Sequence, residues 1–159
     1  MAEHHTVPSM TRTFILALFI AAVLGGGLLI GATNVPGGWY ATLNKPPFNP
    51  PNWVFAPIWS VLYIMIAIAG WRVWMRERGG TPMAIWFVQL GLNFLWPPIF
   101  FGLQRPGAAL IVIAALLVTI AMFIVQTCDN DRVSAWLFTP YAAWVAFAAV
   151  LNMSIVMLN

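Results

Sequence analysis

Charge is missing from five long stretches of this 159-residue chain: 13–44, 46–71, 79–104, 106–128 and 133–159. Each is long enough to hold a helix of roughly 20 residues, the length that crosses a hydrocarbon layer about 30 Å thick. A backbone in lipid must satisfy its own polar groups, so an apolar chain of this kind crosses as helices. The pattern predicts an all-α membrane protein, a five-helix bundle with spans at 13–33, 53–76, 82–103, 106–127 and 133–156. Such spans fill the chain, which predicts one domain over 1–159 with no room for a soluble module. The first apolar run extends well past the roughly 7–15 residues of a signal-peptide core, so it reads as a retained span.

Between the first two spans the pattern changes character. WYATLNKPPFNPPNWVFAPIWSVLY, residues 39–63, holds seven aromatics and five prolines around a single charge, Lys45. No helix core tolerates so many prolines, and no exposed loop needs so many rings. The segment reads as a rigid aromatic lid over 34–52 that runs into the second span. Its prolines restrict the open conformations and so lower the entropy cost of closure.

Within the spans, aromatic and amide side chains fall at helical spacing. Trp59 and Tyr63 are four residues apart on span two. Trp86, Gln89, Asn93, Trp96 and Phe100 make a stripe on span three. Tyr141, Trp144, Ala148 and Leu151 share a face of span five, with Asn152 at its edge. Carboxamides at mid-membrane face the bundle, where Gln89 and Asn93 either bridge helices or meet a ligand. Pro97 and Pro98 are expected to kink or break span three. Span one carries Gly27-x-x-x-Gly31 beside Ala21, Ala22, Gly25 and Gly26, a small face for close helix packing. Span four has almost no polar side chain and is expected to be the most lipid-exposed.

Composition then narrows the chemistry. Hydrophobic residues make up 62% of the chain and charged ones 7%. No Asp, Glu, His or Lys lies centrally in any span, which argues against a proton-coupled pump. His4 and His5 sit in the N-terminal tail and Cys128 is the lone cysteine, so no metal ligand set and no intrachain disulfide are expected. The net charge of +3 comes from residues at span ends, where they reach lipid phosphates; it is no nucleic-acid footprint. Arg12, Arg72, Arg76, Arg78 and Arg132 fall on the N-terminal side, against Lys45 and Arg105 on the other. The positive-inside tendency then puts the N-terminus in the cytoplasm, the lid outside, and favours a bacterial inner membrane.

What remains is a set of aromatic stripes under a lid, the usual design of a site for a flat apolar ligand. The candidate contacts are Trp53, Trp59, Tyr63, Gln89, Asn93, Trp96, Tyr141 and Trp144, with Lys45 either drawing in a ligand carboxylate or anchoring in headgroups. Trp39, Trp53, Trp71, Trp74 and Trp136 also suit an interfacial belt, being near span ends.

Three long motifs carry a resemblance. The 39–63 segment, QLGLNFLWPPIFFGLQRPG (89–107) and PYAAWVAFAAVLN (140–152) closely resemble the tryptophan-rich sensory protein, or translocator protein, family. Its mitochondrial members were called peripheral-type benzodiazepine receptors. The likeness covers nearly the whole chain in order. It implies five packed transmembrane helices with the first loop folded over a pocket. It also implies binding of porphyrins such as protoporphyrin IX, with no covalent cofactor, and a homodimeric state. By motif position, the resemblance assigns the pocket to Tyr40, Trp59, Asn93 and Trp144, with Ala148 where a larger side chain would disturb helix five. Some bacterial relatives degrade bound porphyrin in light; Trp59 and Trp144 are the matching candidates for that catalytic role. Relatives in outer membranes leave that location open as well. The sterol motif of mitochondrial members needs a Tyr and then a Lys or Arg near the C-terminus, and VLNMSIVMLN has neither. Sterol binding is therefore not implied.

Overall fold

The computed structural model describes residues 8–159; Glu3, His4 and His5 lie outside the described residues. Five long helices match the five charge-free stretches. They are α1 (Ser9–Thr33), α3 (Phe55–Arg76), α4 (Thr81–Pro97), α5 (Pro106–Thr127) and α6 (Arg132–Leu158), with a short α2 (Gly38–Thr42) in the first loop. All five are long and apolar enough to cross a membrane, so the chain is a multi-pass membrane protein.

Helix ends fall where the sequence supplies stop and start chemistry. Pro106 opens α5 at a position whose N–H has no helical partner anyway. Asp131 caps α6: its carboxylate accepts from the Ser134 backbone N–H and, at 2.7 Å, from the Ser134 hydroxyl. Pro97 and Pro98 lack the N–H groups that an α-helix would send to the carbonyls four residues back. The expected break is instead a wider turn. Residues Pro98–Gly102 wind as a π-helix, closed by Leu103 N–H on Pro98 O at 2.8 Å. Gln104 then takes a left-handed conformation (φ 56°) that reverses the chain into α5.

Around the bundle the helices run α1, α3, α6, α5, α4, with α1 and α4 closing the ring by their narrowest contact. Two glycines set the spacing of α3. The Tyr63 ring of α3 lies on Gly27 of α1, leaving no room for a Cβ there. The Trp86 indole of α4 lies on Gly70 in the same way and donates to Ile66 O at 2.9 Å. Gly31, the other half of the α1 motif, has open space before it.

One expectation is overturned here. Of α5's most apolar 18-residue window, 28% is buried, against 11% for α1. Ala109, Ile113, Leu116, Ile120, Phe123 and Thr127 form an alternating four-and-three seam against the neighbouring helices. The helix most open to lipid is therefore α1, where only Val23 and Gly27 are buried.

Candidate functional site: an aromatic cavity under the first loop

Inside the ring, at the end nearest the first loop, lies a cavity of about 460 Å³. Each wall comes from a different helix. Gly27, Gly31 and Ala32 give α1 a low wall, because small side chains leave the volume empty. On α3, Trp59 stacks on Tyr63 with centroids 5.3 Å apart, and Phe55 meets the Trp144 ring edge-on at 5.9 Å. On α4, Trp96 stacks on Phe100 at 4.9 Å, an arrangement made by the π-turn that carries Phe100. From α6 come Trp144, Ala148 and Asn152.

The cover is α2 and the proline-rich loop behind it. Tyr40 is 6% exposed and meets Phe100 and Phe101 edge-on, while its hydroxyl donates to Asn49 Oδ1 at 3.3 Å. Burial raises the Tyr40 phenol above its ordinary pKa, with the Asn49 hydrogen bond opposing. Lys45 does not line the cavity. Its ammonium donates to Leu43 O at 3.0 Å and sits 4.7 Å from the centre of the Tyr40 ring. It closes the last turn of α2 and holds Tyr40 from behind. The loop is also fastened to α6. Asn44 N–H donates to Asn159 Oδ1 at 2.9 Å, and Asn159 Nδ2 donates back to Asn44 O at 3.0 Å.

Beneath the cavity floor runs a polar chain. Tyr63 donates to Asn93 Oδ1 (3.1 Å), Asn93 Nδ2 donates to the Tyr141 oxygen (2.7 Å), and Tyr141 donates to Gln89 Oε1 (2.9 Å). A second pair ties the wall at its other end: Trp96 Nε1 donates to Asn152 Oδ1 (3.0 Å), and Asn152 Nδ2 to Pro106 O (2.8 Å). Two buried nitrogens have no partner among the described residues, Gln89 Nε2 and Trp144 Nε1. Only Trp144 lines the cavity. Its indole ring borders the cavity while the N–H itself is enclosed, so meeting an acceptor on a ligand requires the ring to turn.

Comparison with known proteins agrees with this architecture. The TspO/MBR family profile matches residues 14–158. The chain belongs to the TspO/MBR family. It is 38% identical to Protein CrtK of Rhodobacter capsulatus over 154 residues, 94% of this chain and 95% of that one. Its identity to the tryptophan-rich sensory protein of Cereibacter sphaeroides is 36% over 150 residues, with the same coverage. Against the translocator protein of Bos taurus it is 41% over 139 residues, covering 81% and 80%.

Of the residues singled out from the sequence, Tyr40, Trp59, Tyr63, Asn93, Trp96, Trp144 and Ala148 line the cavity of this TspO/MBR protein. Gln89 and Tyr141 do not. They are fully buried behind the floor, where they support Asn93. Trp53 is not a wall residue either. It stands 74% exposed in a 3-10 turn, Asn52–Val54, whose neighbours Asn52 and Phe55 face inward instead. Sequence reasoning missed the α1 wall and the α5 contribution of Ile113 and Leu116. The glycines of α1 carried the signal, since a cavity wall and a close helix crossing call for the same small side chains.

Proposed function

We propose that this protein is a membrane receptor for flat, largely apolar tetrapyrroles of the protoporphyrin IX type, acting as a sensor, regulator or carrier. The carrying observation is the aromatic-walled cavity of about 460 Å³, lined in part by Trp144, whose indole N–H has no acceptor among the described residues. That volume lies within the roughly 300–1,000 Å³ of ordinary small-molecule sites. Stacked faces at Trp59/Tyr63 and Trp96/Phe100 suit a π-system. Family members named as sensory and translocator proteins support a binding role.

The test is a protoporphyrin IX titration of the purified protein, read by tryptophan fluorescence, on wild type and Trp144→Leu. Saturable quenching that weakens about tenfold or more in the variant is expected, since a lost buried hydrogen bond and lost ring contact together are worth roughly 1.4 kcal/mol or more. Non-saturating quenching, equal in both proteins, would mean partitioning into detergent and would remove the proposal. A second reading is favoured by the placement of both Trp59 and Trp144 on the wall. In it a tryptophan gives an electron to the photoexcited ring, and the reduced ring passes one to dioxygen. The ring then returns one to the tryptophan radical, so that the ring is oxidised, dioxygen is reduced and the tryptophan is restored. The same titration samples, illuminated, decide it: product formation must need light and must fall in Trp59→Phe and Trp144→Leu.

A further inference from the structure

A second, smaller cavity of about 220 Å³ lies at the far end of the bundle, lined by Arg12, Trp71, Arg72, Met75 and Arg76. It sits where the first turn of α1 meets the last turns of α3. Three arginines line one recess, and of these Arg72 is paired with a carboxylate, that of Asp131. The fold holds them there with specific bonds. Trp71 Nε1 donates to Arg12 O at 3.1 Å and pins the start of α1 to α3. Asp131 takes the Nε and Nη2 edge of Arg72, at 2.7 Å for the shortest contact. That leaves Arg72 Nη1, and Arg12 and Arg76 form no ion pair among the described residues. Arg76 follows Arg72 by one turn and so shares its face.

Three features choose the ligand. The recess lies at the ends of two membrane-spanning helices, the depth of lipid headgroups. Trp71 and Met75 give it an apolar side that suits a glycerol ester rather than a free ion. Its positive excess disfavours a choline or ethanolamine head. We propose that this recess is a binding site for the phosphate of an anionic glycerophospholipid, separate from the aromatic cavity and independent of what that cavity binds.

The experiment reconstitutes the full chain in phosphatidylcholine nanodiscs containing a minor fraction of phosphatidylglycerol. Lipid retained on the protein after detergent extraction is then counted by native mass spectrometry. Wild type should keep phosphatidylglycerol preferentially. The preference should drop about fivefold for each charge removed in Arg12→Gln and Arg76→Gln. It should survive in Arg105→Gln, which removes a charge from the opposite end. Arg76→Lys keeps the charge on an exposed helix end and should recover part of the preference, which separates lipid loss from unfolding. Equal retention in wild type and the double variant would overturn the proposal. So would displacement of the lipid by millimolar inorganic phosphate, which would mark a site for a soluble phosphate instead.

Discussion

Asn93 holds three helices together with one carboxamide. Its oxygen accepts from Tyr63 of α3 and its nitrogen donates to Tyr141 of α6, while its own backbone belongs to α4. Both tyrosines are buried, Tyr63 being 6% and Tyr141 0% exposed. Asn93→Leu keeps the volume but strands the Tyr63 hydroxyl and leaves Tyr141 with Gln89 alone. A loss of about 1–3 kcal/mol of stability is expected, the cost of leaving buried polar groups unpaired, and thermal unfolding in detergent would measure it. Asn93→Asp as the neutral acid should cost less, because its carbonyl oxygen still accepts from Tyr63 and its O–H donates to the Tyr141 oxygen. Sequence spacing placed Asn93 inside the bundle but left open whether it bridges helices or meets a ligand. In the fold it does the first and borders the cavity as well. Trp53 shows the opposite limit: composition put it among candidate contacts, yet a single 3-10 turn points it outward. The direction of a side chain in a proline-rich loop has no period to read.

At the scale of elements, the α3–α6 contact at the arginine-rich end depends on Asp131. It caps α6 through Ser134 and pairs with Arg72 of α3, the pair being 4% and 30% exposed respectively. Burial alone would raise its carboxyl, but hydrogen bonds from Arg72 and Ser134 outweigh that and hold it below the ordinary 3.8. The unfolded chain therefore takes up this proton more readily than the folded one. Stability from the contact is complete above the ordinary value and is lost as pH falls through the depressed one. Asp131→Asn should lower stability by roughly 2 kcal/mol at neutral pH. The gap to wild type should close as the unfolding series is carried below pH 3.8. Elements were mostly legible from where charge is absent, while the roles of Pro106 and Asp131 at their ends came from the structure. Which face of a helix is buried was not. In α5 the residues facing lipid are as apolar as those of its buried seam, so the period vanishes from the sequence. The π-turn after Pro98 was legible as a disturbance, but not as the device that brings Phe100 beneath Tyr40.

For the molecule as a whole, the two ends of the bundle differ in kind. One end carries the aromatic cavity, its cover and the Asn44–Asn159 clasp. The other carries Arg12, Arg72 and Arg76 around a recess, with Arg78 two residues past Arg76 and Arg132 next to Asp131. The positive-inside tendency predicts the arginine-rich end on the cytoplasmic side, which would turn the cover outward. If so, a tetrapyrrole reaches the cavity from the external leaflet and an anionic lipid meets the arginines from the internal one. Cys128, a free thiol at the end of α5 and three residues from Asp131, reports on this directly. A membrane-impermeant maleimide should label it in inside-out vesicles and not in intact cells. A cysteine placed at exposed Val35, in a Cys128→Ser background, should label with the opposite preference. Reversal of both patterns would put the cavity on the cytoplasmic side and would make a ligand made inside the cell the one with direct access.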